Sequence, residues 1–257
     1  MRSRTAIGLG LAVALLGAVL AQAEVTQRSN LRLSFDARFT PHALPRNRDA
    51  PVTVALNGLI WTADGSRPPQ LRAMSIAVNR YGRLSTVGLP VCPTRRLEST
   101  SSETALAICR DALVGHGRFG AIVDFPDAKF PVEGRMLAFN SRQRGKPAIA
   151  LHVYGTNPVE TTLVLPFGIK HPRRGRYGTV ISTRIPRLAS DLGYVTELSL
   201  TFGRRYRHDG RARSFISARC AAPAGFPGAI FNFARGSFSF ANGQTLRTTL
   251  VRDCRVR

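Results

Sequence analysis

Gly236-Ser-Phe-Ser-Phe-Ala241, Asn242-Gly243 and Gln244-Thr-Leu-Arg-Thr-Thr-Leu-Val-Arg-Asp-Cys-Arg-Val256 read as two alternating runs joined by two turn residues. Asn-Gly accepts positive φ at both central positions of a tight turn, which matches the twist of the flanking strands and signals a hairpin. Leu246, Leu250 and Cys254 share one parity, so all three are expected on the buried face. Such a unit has one face on a core and one in water, the habit of antiparallel sheets.

The same pattern recurs upstream. Strands are expected over 31–39, 52–62 (with Trp61), 119–125, 134–140, 148–154, 161–170, 177–185, 195–202 and 214–220, and a hairpin over 71–78 and 83–87 around Asn79-Arg-Tyr-Gly82. Leu198, Leu200 and Phe202 point one way while Glu197, Ser199 and Thr201 point the other. Residues 24–30 read as a polar leader, Pro41 to Pro51 as a basic link, and Ala63 to Pro69 as a turn. No internal repeat is evident. Pro126 to Pro131 and Asn157-Pro158 are the only candidate subdomain breaks. Many short strands without βαβ alternation predict an all-β fold, an antiparallel β-sandwich over 24–257 with one short helix inserted between strands.

That helix is expected after Gly88-Leu-Pro-Val-Cys92-Pro93. Thr100 and Glu103 form a capping box, Leu106, Cys109 and Leu113 fall on one stripe, and Gly115 ends it. All four cysteines, Cys92, Cys109, Cys220 and Cys254, follow the leader, an even number. The pairing Cys92–Cys109 and Cys220–Cys254 is favoured because each closes a local loop. No C-x-x-C or H-x-x-x-H spacing points to zinc, and neither metal nor cofactor is expected.

At the N-terminus Arg2 and Arg4 precede an uncharged apolar run from Ala6 to Leu20 and a small-x-small site, Ala21-Gln22-Ala23. This is the pattern of a cleaved signal peptide, and the run is short of the roughly twenty residues that span a bilayer. Export is expected, with no membrane-spanning segment after cleavage; 23 residues removed from 257 leave 234. The chain carries 37 basic and 15 acidic side chains, net +22, or +20 once Arg2 and Arg4 are gone. Only Lys129, Lys146 and Lys170 are lysines, so nearly all the positive charge is arginine.

Pro45 to Leu71, with Ala50-Pro-Val-Thr-Val-Ala-Leu-Asn-Gly58 and Thr62-Ala-Asp-Gly-Ser-Arg-Pro-Pro-Gln-Leu71, carries a resemblance that extends through much of the chain. It continues in Gly88-Leu-Pro-Val-Cys92-Pro93, Ala107-Ile-Cys109-Arg-Asp-Ala-Leu-Val-Gly115, Leu137-Ala-Phe-Asn140, Arg176-Tyr-Gly-Thr179, Ile185-Pro186 and Leu250-Val-Arg-Asp-Cys254. In these motifs the chain resembles a family of exported β-rich actinobacterial proteins of unknown function. The resemblance implies export and a β-rich domain and brings no catalytic residue with it.

Few residue patterns carry chemistry. Gly115-His-Gly-Arg-Phe-Gly120 matches G-x-G-x-x-G, but a helix precedes it and a strand follows, the reverse of a dinucleotide site. No G-x-S-x-G elbow is present. His152 reads as a sheet-face residue and His116 as an exposed one. Asp124, Asp127 and Glu133 are the densest acidic group; paired carboxylates would serve a secreted glycan hydrolase, whereas salt bridges to Lys129 or Arg135 are their plainer use. The stronger lead is basic: Lys170, Arg173, Arg174 and Arg176 in one inter-strand stretch, and Arg204, Arg205, Arg207, Arg211 and Arg213 in another, with Tyr177 and Tyr206 beside them. Arginine offers bidentate hydrogen bonds to phosphates, and a strongly basic surface attracts polyanions. The expected function is a non-enzymatic cell-envelope or extracellular binding or structural protein that meets anionic wall polymers or lipid head groups. No nucleic-acid recognition module is evident. A solvated basic surface without a partner is the plainer alternative.

Overall fold

In a computed structural model, residues 23–157, 159–188 and 191–257 are described. The expected signal peptide falls on residues 1–22 and Ala23, so all but its last residue lies outside the described residues. The strands are β1 (Glu24–Arg28), β2 (Leu31–Thr40), β3 (Ala43–Leu44), β4 (Ala50–Pro51), β5 (Thr53–Thr62), β6 (Leu71–Asn79) and β7 (Gly82–Leu84). One helix follows, α1 (Ser102–Cys109). Then come β8 (Leu113–Asp124), β9 (Lys129–Gln143), β10 (Lys146–Gly155), β11 (Thr161–Lys170), β12 (Tyr177–Arg184) and β13 (Gly193–Phe202). The chain closes with β14 (Arg205–His208), β15 (Arg211–Ser214), β16 (Ile216–Ala218), β17 (Gly228–Phe240) and β18 (Thr245–Val256).

The protein is mostly β with one short helix, as the alternation predicts. Thirteen strands form a single curled sheet, a half-barrel, in the order β1-β2-β5-β13-β8-β9-β10-β11-β12-β6-β17-β18-β3. All pairings in it are antiparallel except the short β18–β3 contact. Two small sheets, β14-β15 and β4-β16-β7, stand apart from it. The closing hairpin forms as read, and Leu246, Leu250 and Cys254 are all buried. Both expected disulfides are present, Cys92–Cys109 and Cys220–Cys254.

Several local expectations are corrected. Residues 24–30 are not a loose leader: Glu24–Arg28 pairs with β2, and the chain reverses at Ser29, whose φ is +52°. The 71–78 and 83–87 runs do not pair with each other. β6 lies between β12 and β17 in the large sheet, whereas β7 pairs with β16. Pro126 to Pro131 holds the β8–β9 turn: the ladder runs up to Asp124 opposite Lys129 and reverses there. Of Asn157-Pro158, Pro158 lies outside the described residues. Four of the arginines expected on loops, Arg205, Arg207, Arg211 and Arg213, lie on the β14–β15 hairpin. It turns at Asp209-Gly210, both at positive φ, a hairpin turn signal.

The helix starts one residue later than the capping box implies. Ser101 is the N-cap and its Oγ accepts from the Thr104 backbone N–H, while Thr100 Oγ1 donates to the Leu97 carbonyl. The helix ends at Cys109 and passes through a 3₁₀ turn, so Gly115 and the rest of the G-x-G-x-x-G run lie in β8. There the missing side chain at Gly117 has a use: a Cβ would sit 2.0 Å from the Ser199 carbonyl oxygen of β13. The helix packs on the convex face of the sheet, where Ala105, Cys109 and Ala112 meet Leu137, Phe139 and Ala150.

His152 sits fully buried beneath the helix, a sheet-face residue as read. Its Nε2 donates to the Thr100 carbonyl at 2.9 Å, which leaves Nδ1 as an unpaired, unprotonated nitrogen. Burial lowers its pKa below the usual imidazole value, outweighing that hydrogen bond and Glu103. A base held neutral in the fold takes up a proton only on unfolding, so the folded state is favoured above the ordinary His pKa of about 6.5 and loses that advantage as pH falls below it. Urea unfolding between pH 7 and 5 is expected to show stability declining with acid, and His152→Gln to flatten that slope. An unchanged slope in the variant would place the acid sensitivity elsewhere.

Candidate functional site

The curled sheet brings alternate side chains of distant strands to face one another across its interior. Part of the interior is close-packed core, with Phe35 and Phe238 edge to face at 5.5 Å and Phe39 against Phe233 at 5.3 Å. Between β6, β8–β11 and β13 the core gives way to a cavity of about 400 Å³. Its wall is almost wholly apolar, built from alternating residues such as Leu163, Leu165 and Phe167 of β11 and Ala121 and Val123 of β8. Phe119 lies over Gly134 and Gly155, which face each other on β9 and β10. A Cβ at Gly134 would sit 2.3 Å from the Phe119 ring, so the glycine seats that ring in the cavity wall.

The cavity opens at the end of the half-barrel formed by the β8–β9 and β10–β11 turns. Phe125 and Val159 are exposed there, 41% and 68%, although both line the cavity. Apolar side chains kept in water at the rim of an apolar hollow mark a binding site better than scattered surface leucines do. On the same rim, Leu188 and Gly193 flank Asp191. The Arg72 guanidinium donates to the Asp191 carboxylate at 2.5 Å and holds its pKa below the ordinary range, with Arg187 and Arg67 adding to the effect.

At the opposite end lies an open polar cleft of about 630 Å³. Arg80 and Arg83 beyond β6, His171 after β11 and Arg213 on β15 converge on it. One carboxylate lies in the cleft, Asp49, and it is held between Arg83 and Arg219, each at 3.6 Å. Arg213 Nε is buried with no hydrogen-bond partner among the described residues. Neither Arg80 nor Arg213 has an ion pair among the described residues.

The two expected basic stretches are thus brought to one end of the molecule, through His171 and Pro172 of one and Ala212, Arg213 and Ser214 of the other. Only Arg213 of the named basic residues lines the cleft; Lys170, Arg173, Arg174, Arg176, Arg205, Arg207 and Arg211 are exposed around it or beyond. Arg204 is spent on structure, donating to the Arg110 and Leu113 carbonyls. Tyr206 donates to the Val87 carbonyl, and Tyr177 stacks under Arg235 at 4.9 Å.

The acidic group does not converge. Glu133 pairs with Arg118 at 3.5 Å, both well exposed, in place of the expected Lys129 or Arg135. Asp124 stands opposite Lys129 and Glu133 opposite Gly120. Four residues of strand, about 13 Å along the ladder, separate the backbone positions of Asp124 and Glu133, and Glu133 is turned to Arg118. His116 is exposed on β8, and no cluster of three metal-ligating side chains occurs among the described residues. The cavity itself was missed by sequence reasoning, because its lining has the same period-2 pattern as a filled core. Comparison with known proteins finds no match, whether to protein-family models, to curated proteins or to solved structures.

Proposed function

We propose that this is an exported, non-enzymatic binding protein whose ligand is apolar and lodges inside the curled sheet. The observation that carries the reading is the cavity of about 400 Å³ with its apolar wall and its exposed apolar rim at Phe125 and Val159, in the size range of small-molecule sites. Two disulfides, consistent with an oxidising compartment, together with the signal-like N-terminus and the resemblance to exported proteins, support export. No helix among the described residues is long and apolar enough to cross a membrane.

The test is saturable binding of a neutral apolar fluorophore such as N-phenylnaphthylamine. Ala121→Phe and the double variant Ala121→Phe/Val195→Phe put rings into the cavity from two strands. They are expected to weaken binding more than tenfold, about 1.4 kcal/mol or more, while the unfolding midpoint holds or rises, since they cover apolar wall. Undiminished binding in the double variant would move the ligand out of the cavity and end this reading.

The arginine-rich surface favours a second reading, contact with anionic wall polymers or lipid head groups. What supports it is the cleft, where both basic stretches meet Arg80 and Arg83.

A further inference from the structure

We propose that the ligand is an anionic amphiphile whose tail occupies the interior and whose acidic head is held in the cleft of Arg80, Arg83, His171 and Arg213. This rests on the reading of the interior as an apolar-ligand site. The first support is the order of the interior spaces. Two small apolar voids, of about 40 and 50 Å³, lie between the cavity and the cleft. The first shares Met74, Leu151, Phe167 and Leu198 with the cavity, and Leu56, Ile76, Ile181 and Phe202 with the second. The second shares Gly82, Arg83, Leu84 and Thr179 with the cleft. Cavity, two voids and cleft therefore follow one another along the interior, divided by the core side chains they share as walls, and the last void includes Arg83 in its lining. On β6 the interval from Met74 at the cavity to Val78 beside the cleft is four residues, about 13 Å, within reach of one extended hydrocarbon chain.

Charge supplies the second support and sets the polarity of the ligand. At the cavity rim Arg72 and Arg187 are already paired with Asp191, and Glu197 lines the wall, so the rim offers an acidic head less than the cleft does. At the cleft the one carboxylate is already paired, and Arg80 and the buried Nε of Arg213 have no partner among the described residues. A guanidinium with unspent donors binds phosphate or carboxylate through two parallel hydrogen bonds. Four further exposed arginines, Arg173, Arg174, Arg176 and Arg211, belong to the same two stretches that bring His171 and Arg213 to the cleft, and positive charge there raises the local concentration of an anionic ligand. An amphiphile lying with its acid at the arginines and its tail inward satisfies both ends of the interior at once.

The experiment compares dodecyl phosphate, dodecanoate, dodecanol and ethyl phosphate by calorimetry on the mature chain, below the micelle concentration of each. The acidic dodecyl ligands are expected to bind about ten- to a hundredfold tighter than dodecanol, the gain of one or two charge-assisted hydrogen bonds. Preference between the two acids identifies the head as phosphate or carboxylate. Arg80→Ala/Arg213→Ala should abolish the gain while leaving dodecanol binding unchanged, and Arg247→Ala, on the outer face of β18, should retain it. The proposal is overturned if dodecanol matches the acids, if ethyl phosphate binds as tightly as dodecyl phosphate, or if the double arginine variant keeps the preference. Fluorophore binding separates the failures. Retained fluorophore binding without a head-group preference ends this proposal alone; loss of both ends the interior reading with it.

Discussion

Replacing Arg252 by methionine is expected to destabilise the protein by about 3 kcal/mol, the low end of the cost of breaking a buried ion pair, because Arg38 Nε still donates to Asp36 Oδ2 at 2.9 Å. Arg252 is 6% exposed and Asp36 is 4% exposed, 216 residues apart in the chain. One guanidinium nitrogen of Arg252 donates to Asp36 Oδ1 at 2.5 Å and its Nε to the Ala37 carbonyl at 2.9 Å. These bonds join β18 to β2, near the two ends of the curled sheet, where no backbone ladder links them. Thr248 adds a hydrogen bond to Glu24 of β1 along the same seam. Asp36→Asn should cost a similar amount, by stranding the guanidinium. Asp36→Leu/Arg252→Met removes both charges and should recover much of the loss, because two well-packed apolar groups need no partner. Urea unfolding of the three variants decides this. A single variant within about 1 kcal/mol of wild type would mean that the Arg252–Asp36 pair does not hold the ends of the sheet together.

The Arg252 latch shows both the reach and the limit of reading the chain. Parity along β18 puts Arg252 on the face of Leu250 and Cys254, so its inward direction is legible from the closing hairpin. Its partner is not, since nothing near residue 252 points to Asp36. The same division holds elsewhere. Local signals found most of the long strands, the closing turn, the helix and both disulfides, because hairpin ladders, caps and short cysteine loops are set within a few dozen residues. They missed β1 and the β14–β15 hairpin, read as a leader and as loops. The order of strands is non-local: β5 pairs with β13, and β6 with β17. No local pattern distinguishes such a curled sheet from two sheets face to face, as both bury alternate residues. The cavity escapes for a related reason. Leu163, Leu165 and Phe167 alternate like core residues, and only the curvature of the whole sheet decides whether anything packs against them. The basic stretches were legible as charge, whereas their meeting with Arg80 and Arg83 depends on where β6 and β11 end.

Removing the Cys220–Cys254 bridge by a double alanine substitution should cost about 4 kcal/mol, and the Cys92–Cys109 bridge about 3 kcal/mol, if loop closure in the unfolded chain sets the effect. The ranking follows from sequence separations of 34 and 17 residues. Location widens the difference. Cys92–Cys109 ties the helix to the convex face, so its loss frees a segment that contributes nothing to the cavity wall. Cys220, fully buried, ties the end of β16 to Cys254 on the seam strand β18. β16 supplies Ser217 to the cleft, and Arg219 next to it holds Asp49 at 3.6 Å. Loss of that bridge should therefore weaken the preference for acidic over neutral amphiphiles as well as lower the urea midpoint, whereas loss of Cys92–Cys109 should lower the midpoint and leave the preference intact. Equal effects of the two variants on ligand preference would mean that the cleft is not positioned by β16. A Cys220/Cys254 variant as stable as wild type would mean that the β17–β18 ladder and the Arg252 latch, which acts two residues from the bridge, hold β18 without it.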